Sequence, residues 1–318
     1  MYKHLHTLEK HPEYLICFTI SPDGKALISS CYDIIKVWDL EEGTLICSHE
    51  LNKGRTPLHF SLVVNSDWTT FITNFDSQIR IYDLLEGSLI SNFSTGTSGS
   101  LAIHPDGKTI IVGHYKMSRG ESFAPIELFD LQSKKLVQTL QGHEHTVSSV
   151  IISPDGKRLV SQSYHLSVKV WDLLTGKELC SFYKPPRRWI DTVAFVNLTE
   201  LIVSGCRFSG NENRGNDWKD LHTEVWNILT DEVIYTFPKS PRRDSPHPPG
   251  EPRSVMMPDG KILVTGSDRD IVVWDLQQGK KLCTLQGHNS KVENLAIAPN
   301  GQTIASYAED GICIWKRQ

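Results

Sequence analysis

The sequence predicts an all-β fold in which one four-stranded unit is repeated seven times. The first observation is a recurring ending. Val37-Trp38-Asp39-Leu40, Ile81-Tyr82-Asp83-Leu84, Leu128-Phe129-Asp130-Leu131, Val170-Trp171-Asp172-Leu173 and Val273-Trp274-Asp275-Leu276 are near copies, Val225-Trp226-Asn227-Ile228 is a weaker one, and Ile314-Trp315 is a truncated one. The aromatic residues at 38, 82, 129, 171, 226, 274 and 315 are separated by steps of 44, 47, 42, 55, 48 and 41 residues, and a period in the forties marks a repeat architecture. The second observation is that no segment has helical periodicity, whereas β-branched residues and tight-turn residues recur throughout.

Residues 143–183 show one unit in order. Val147, Val150 and Ile152 are spaced for a first strand. Ser153-Pro154-Asp155-Gly156 is a turn, because proline presets φ and Asp-Gly tolerates the positive φ of tight hairpins. Arg158 to Ser161 is a second strand, and Ser167 to Trp171 alternates as a third. Leu174-Thr175-Gly176-Lys177 turns the chain into a fourth strand, Glu178 to Phe182. A four-stranded antiparallel sheet has two faces to bury, and stacking against neighbouring copies buries both.

His143, Ser153-Pro154-Asp155-Gly156, Leu159, Ser161 and Val170-Trp171-Asp172 together closely resemble the WD40 repeat, and the resemblance covers essentially the whole chain. It implies a single seven-bladed β-propeller over residues 1–318, without a cofactor, acting as an interaction platform. The termini independently suggest closure of the ring. Lys3 to His11 aligns with Lys280 to His288, so the chain begins with a fourth strand lacking its first three, and it stops at Gln318 before a fourth strand can follow Trp315. The first strand is therefore expected to complete the last blade, leaving no unfinished edge.

Composition narrows function by exclusion. The chain has 318 residues, 39% hydrophobic and 22% charged, with a net charge of −4, which does not suit general nucleic-acid binding. The start, with its short apolar run from Tyr14 to Ile20, has no signal pattern, and no apolar stretch approaches membrane-spanning length, so a cytoplasmic protein is expected. Cys47, Cys180 and Cys283 each follow their repeat's tryptophan by nine residues; one repeat position in three separate units suits free thiols rather than a disulfide or metal cluster. Asn92-Phe93-Ser94 and Asn197-Leu198-Thr199 match the glycosylation pattern but have no secretory context. His4, His6 and His11 could group around a metal, though packed or solvated histidines are the plainer reading. The glycine-rich Ser94 to Gly99 opens no helix and is not a phosphate loop.

Histidine, serine and aspartate recur together in a way that imitates a catalytic triad. His11, Ser29, Asp33 and Trp38 have spacings of 18, 4 and 5, and His288, Ser306, Asp310 and Trp315 repeat them. Two copies at the repeat period indicate architecture, and the set resembles the structural hydrogen-bond tetrad of WD40 blades. Other repeats depart from it. His165 stands where repeat four should have aspartate, repeat six has His247, Thr265 and Trp274 with Asp268 one place off, repeat two has Thr73 and Asp76 with Arg55 and Tyr82 in place of histidine and tryptophan, and repeats three and five lack the histidine. No catalytic residue, cofactor site or metal site is assigned.

Function is expected where the repeats differ. From the second-strand residue to the third-strand aromatic takes nine residues in four repeats and ten in repeat four, but seventeen from Val112 to Phe129 and twenty-two from Ser204 to Trp226. Pro238 to Pro252 joins repeats five and six and holds six prolines. All three insertions should emerge at one end of their blades, the top face, where loops on a rigid scaffold build binding sites. The loop into repeat five brings Arg187, Arg188 and Trp189, its insertion brings Arg207 and Trp218, and the loop into repeat six brings Arg242, Arg243 and Arg253. Arginine and tryptophan are frequent interface anchors. These residues are expected to contact one or more protein partners, acidic or phosphorylated, from a monomeric, non-catalytic scaffold. An anionic ligand or nucleic acid in the same sector is the alternative, a propeller enzyme with a central-channel site is the third reading, and self-neutralisation by Glu212, Asp217, Asp220, Asp244 and Glu251 would leave the sector a mixed solvated surface.

Overall fold

The structure is a computed structural model. It describes the chain apart from residues 1, 10, 12–14, 16, 32–33, 52–60, 116–122, 164–166, 184–187, 196–199, 209–217, 228–231, 239–253, 258–259 and 277, and the strands between 182 and 253 are described by their backbone. Every element among the described residues is a strand.

After β1 (Tyr2–Leu8) come β2 (Cys17–Ile20), β3 (Ala26–Ser30), β4 (Ile34–Asp39) and β5 (Thr44–Glu50), which form one four-stranded sheet in chain order. The same order is kept by β6 (Ser61–Val64), β7 (Thr70–Phe75), β8 (Gln78–Asp83) and β9 (Leu89–Ser94), and by β10 (Gly99–Ile103), β11 (Thr109–His114), β12 (Ala124–Asp130) and β13 (Leu136–His143). It continues in β14 (Val147–Ile152), β15 (Arg158–Ser163), β16 (Ser167–Asp172) and β17 (Glu178–Tyr183), and in β18 (Arg188–Phe195), β19 (Glu200–Phe208), β20 (Trp218–Asn227) and β21 (Glu232–Pro238). A sixth sheet contains β22 (Ser254–Met256), β23 (Ile262–Ser267), β24 (Asp270–Asp275) and β25 (Lys280–Gln286). The last has β26 (Val292–Ile297), β27 (Thr303–Ala308) and β28 (Gly311–Arg317), with β1 as its fourth strand.

The four strands expected within 143–183 coincide with β14 to β17. The turn at Ser153 closes as the sequence suggests: the Gly156 N–H donates to the Ser153 carbonyl at 2.8 Å, and Gly156 has φ +73°, a conformation that costs glycine least. The Ser153 hydroxyl donates to Asp155 and accepts from the Arg158 N–H, so the turn carries its own polar partners.

Contacts divide the chain into two compact units, one of Met1–Cys31, Lys36–Ile46 and Pro185–Gln318, the other of Tyr32–Ile35 and Cys47–Lys184. In the first, the sheet of β26–β28 and β1 is covered on both faces. Leu8, Leu15, Phe18, Leu27 and Trp38 pack with Ala305, Ile312 and Ile314, whereas Val264, Ile271 and Val273 pack with Leu295, Ile304 and Trp315. Strand β27 is therefore buried along its whole length. In the second unit, the sheet of β10–β13 is similarly covered: Leu101, Ile110 and Val112 meet Ile72 and Ile79, and Ile111, Ile126 and Leu140 meet Val150, Leu159 and Trp171. The fourth strands β5 and β9 are largely exposed.

The terminal strand pairs as expected. β1 runs antiparallel to β28 from Tyr2↔Arg317 to Leu8↔Ile312. Tyr2 fixes the pairing by donating its hydroxyl to the Gly301 carbonyl at 2.6 Å, and Leu8 is 2% exposed. The bulge between His4 and His6 sends the two histidines to different partners. His4 approaches the Trp315 ring edge-on and Thr7, while His6 meets the Glu41 carbonyl at 2.8 Å. These are packing contacts that account for both rings; no cluster of three or more potential metal ligands occurs among the described residues.

Candidate functional site

The polar residues of the repeats form the blade supports anticipated from their spacing, and one set is complete. In the last sheet, the Trp315 indole N–H donates to Ser306 Oγ at 2.8 Å, Ser306 Oγ lies 2.7 Å from His288 Nε2, and His288 Nδ1 lies 2.7 Å from Asp310 Oδ1. With the indole donating to it, the serine hydroxyl is free to donate to Nε2, and the other ring nitrogen then donates to the carboxylate. Asp310 also accepts from the Asn289 N–H at 2.6 Å and from the Ser290 hydroxyl. Burial alone would raise the Asp310 carboxyl, but the Asn289 N–H and His288 more than offset it and hold it below the usual carboxylate range. Ser306 is 0% exposed, so the chain of donors satisfies groups that water cannot reach.

The first repeat has the same inner part. His11 Nε2 is 2.6 Å from Ser29 Oγ, which accepts from the Trp38 indole at 2.7 Å. Asp33 lies outside the described residues, and among those described His11 Nδ1 has no partner. Repeat four solves its missing aspartate differently. His143 Nε2 is 2.6 Å from Ser161 Oγ and Trp171 donates to the same oxygen at 2.8 Å, but Nδ1 meets the hydroxyl of Ser167 at 3.0 Å. Ser167 opens β16 and takes the carboxylate's place; spacing pointed to position 165, which lies outside the described residues. Burial, and secondarily Lys36, lowers His11 to about 4; burial, and secondarily Lys169, lowers His143 to about 4. Both rings are neutral at pH 7, as acceptor-and-donor links require. In repeat six Trp274 donates to Thr265 at 2.9 Å, while His247 is outside the described residues. In repeat two Tyr82 stacks on Phe71 at 4.9 Å instead of donating to Thr73, and Arg55 is not described.

The divergent sector is built on β18 to β21. Its second and third strands, β19 and β20, have 9 and 10 residues, against five to seven in the other sheets. This corrects the expected placement of several candidates. Arg207 and Trp218 are ladder residues, not loop residues: Arg207 pairs with Lys219 and Phe208 with Trp218, so the hairpin continues past the point where the other repeats turn. Aromatic residues favour extended pairing, which explains the longer ladder. Arg188 and Trp189 likewise begin β18, opposite Arg207 and Cys206, instead of belonging to the preceding loop. The remaining insertion is 209–217. Arg187, Arg242, Arg243 and Arg253 lie outside the described residues, as do Glu212, Asp217, Asp244 and Glu251. β18 adjoins β22 of the following sheet, so the connection through 239–253 begins and ends in neighbouring sheets. β19 and β21, the strands that precede 209–217 and 239–253, run in the same direction and finish at the same end of their sheet. The other long insertion, between β11 and β12, contains 116–122, again outside the described residues.

A family model for the WD domain, G-beta repeat, matches residues 2–39, 134–172, 249–275 and 279–316. The chain carries WD40 repeats. The matched segments include the two histidine–serine–tryptophan sets of the first and last repeats and the one of repeat four; the departures described above in repeats two, three and five fall between matches. Among curated proteins, the WD40 chain is 25% identical over 261 residues to U3 small nucleolar RNA-associated protein 15 homolog of Xenopus tropicalis, covering 80% of this chain and 44% of that protein. It thus spans less than half the length of that relative. It is 22% identical over 293 residues to guanine nucleotide-binding protein subunit beta of Zea mays (87% of this chain, 73% of that protein) and 24% identical over 282 residues to small ribosomal subunit protein RACK1 of Caenorhabditis elegans (75% and 80%). No helix among the described residues is long and apolar enough to cross a membrane.

Proposed function

We propose that this WD40 chain is a non-catalytic scaffold that binds protein through the β18–β22 end of its repeat array, with Arg187, Arg188, Trp189, Arg207, Trp218, Arg242, Arg243 and Arg253 as contacts. The observation that carries the reading is the departure of one sheet from the shared pattern. The repeated polar sets are internal supports, whereas β19 and β20 extend beyond their counterparts and bring arginine and aromatic residues to the end from which 209–217 and 239–253 leave. A rigid sheet displaying long connections is a usual place for a binding surface, and arginine with tryptophan gives it desolvatable anchors. The reading treats residues 1–318 as one monomeric seven-bladed propeller, closed by the β1–β28 pairing, and places it in the cytoplasm, where the thiols at 17, 31, 47, 180, 283 and 313, none of them in a disulfide, would stay reduced.

Nucleic acid is the second reading, favoured by one observation: a relative's printed name is that of a small nucleolar RNA-associated protein. Affinity capture with the intact chain and with an Arg187→Glu/Arg188→Glu/Arg242→Glu/Arg243→Glu variant tests the first reading, with nuclease treatment separating it from the second. Loss of protein partners from the variant at unchanged melting temperature is expected. Full retention would overturn the assignment, and nuclease-sensitive retention would turn it toward nucleic acid.

A further inference from the structure

Among the described residues, six turns between a first and a second strand are closed by one hydrogen bond, from the N–H of the turn's fourth residue to the carbonyl of its first. In five of them the fourth residue is glycine, at 24, 107, 156, 260 and 301, with φ between +67° and +74°. In the second sheet, β6–β9, it is Trp68, with φ +59°. Glycine takes this left-handed conformation without steric cost, whereas a bulky side chain is strained in it. The other non-glycine residues with positive φ, Asp76, Ser77, Lys134 and Asp268, are all polar. The fold does not reward the exchange. The Trp68 ring is half-buried, and its indole N–H has no acceptor among the described residues. Strain kept without an internal return points to a role outside the fold.

The same turn has also lost its cation. The residue after the glycine is Lys25, Lys108, Lys157 or Lys261 in four sheets and Gln302 in the last; Thr69 holds the place in the second. The Thr69 carbonyl accepts from the Leu84 N–H at 2.9 Å, which continues the Thr70↔Asp83 pairing by one step and brings the backbone of Trp68 beside that of Leu85. Leu85 is 60% exposed, and Leu89, at the start of β9, is also exposed. An exposed leucine alone marks nothing, since Leu174 holds Leu85's position in the fourth sheet. The tryptophan and the charge set the second sheet apart. In the third and fourth sheets, Lys108 and Arg158 act on Asp130 and Asp172, the equivalents of Asp83. Thr69 and Thr70 replace both cations. Asp67 accepts from Thr69, and Asp83 accepts from the Leu85 and Glu86 N–H groups, so both serve their own turns. Neither they nor Glu86 form an ion pair among the described residues. Arg80 is the one lysine or arginine from Ser61 to Ser94, and it lies over the Phe75 ring, toward the opposite end of the sheet.

These features select the occupant. A tryptophan face attracts a guanidinium or ammonium group, and uncompensated carboxylates around it add to the attraction. Exposed leucines beside them suit an apolar side chain. Phosphate-bearing surfaces, whether nucleic acid or anionic lipid, are repelled by the same carboxylates. We propose that the Trp68–Leu85 end of the second sheet docks a basic segment of a partner protein, with an arginine or lysine over Trp68 near Asp67 and Glu86, and a neighbouring apolar residue against Leu85 and Leu89. This surface is separate from the β18–β22 end and does not depend on that reading.

The test titrates the full chain into fluorescein-labelled peptides that carry a central phenylalanine flanked by arginines, by glutamates or by serines, with binding read by fluorescence polarisation. The arginine peptide should bind in preference to the other two, and more weakly as salt is added. Trp68→Gly should weaken that binding about tenfold or more. Its melting temperature should be unchanged or higher, because glycine restores the residue that the turn prefers. Asp67→Asn/Glu86→Gln, which keeps an oxygen to accept from Thr69, should weaken binding severalfold and flatten its salt dependence. Should Trp68→Gly lower the melting temperature, Leu85→Ser/Glu86→Gln carries the test at exposed positions, and its binding should fall severalfold. Equal binding of the three peptides, or full binding by Trp68→Gly or by Asp67→Asn/Glu86→Gln, would overturn the proposal. A destabilised Trp68→Gly together with full binding by Leu85→Ser/Glu86→Gln would show that the tryptophan only packs, and would overturn it as well.

Discussion

The last sheet and the fifth sheet have the same strand order and opposite uses of polar residues. In the last, Trp315, Ser306, His288 and Asp310 close on one another, with distances of 2.7–2.8 Å. In the fifth, Arg188 is set opposite Arg207 and Arg207 opposite Lys219, at the end where β19 and β20 outrun their counterparts. The first arrangement satisfies itself and needs nothing from outside. The second departs from the pattern that the other sheets share. In a repeat protein the residues that recur are thus the ones that build it, and departures from the repeat are the better guide to where it works.

The comparison breaks most severely if the self-satisfied sheet can lose a strand. Deleting Tyr2 to Leu8 removes all of β1, its ladder with β28 and the Tyr2 hydroxyl bond to Gly301. The account predicts the largest effect here: a melting temperature lower by about 10 °C or more, or failure to fold. Unchanged thermal unfolding would show that β1 is an accessory and that closure through it contributes nothing.

A smaller effect is expected from Asp310→Ala. It leaves His288 Nδ1 and the Asn289 N–H without their acceptor and should cost about 1–3 kcal/mol in denaturant unfolding. Ser167→Ala removes the neutral counterpart in repeat four and should cost less, about 0.5–1.5 kcal/mol. Equal costs would mean that the serine is a full substitute for the carboxylate. Loss of a partner by Asp310→Ala at a temperature where it remains folded would mean that the tetrad is part of the binding surface.

The neutral histidines provide a pH test of the same internal supports. His11 and His143 have pKa values lowered to about 4, below the 6.5 of the unfolded chain. Between those values the unfolded state binds more protons than the folded one, so stability rises with pH in that window. The contribution is fully present above about pH 6.5, is lost progressively on acidification, and is gone below about pH 4. A His143→Gln variant should lose part of the slope of stability against pH in this range. An identical slope would show that His143 is not among the groups that resist protonation.

Much of the fold was legible before any coordinate. The period of the aromatic residues, the Asp-Gly turns and the match of Lys3–His11 to Lys280–His288 anticipated the sheets, their strand order and the pairing of β1 with β28, because each rests on local chemistry that repeats. The candidate site was legible only in composition. Counting residues between Ser204 and Trp226 revealed extra length but could not distinguish a loop from a longer ladder; aromatic and basic residues at 207, 208, 218 and 219 pair and extend the hairpin, so Arg207 and Trp218 moved from loop to strand. The position of Lys219 opposite Arg207 is not legible in the sequence because it depends on the bulge that leaves Asp220 out of the register. The same holds for Ser167: linear spacing points to position 165, whereas His143 meets the first residue of β16.

The smallest structural effect and the most direct test belong to the extended hairpin of the fifth sheet. Arg188→Gln/Arg207→Gln/Lys219→Gln should leave the melting temperature unchanged, since polar substitutions away from the repeated supports cost little. Side-by-side capture of partners by this triple variant, by Asp310→Ala and by the unaltered chain, at a temperature where all three are folded, tests whether function resides where the repeats differ. The account predicts that the triple variant loses its partners and that Asp310→Ala keeps them despite its lower stability. Retention by the triple variant together with loss by Asp310→Ala would contradict it.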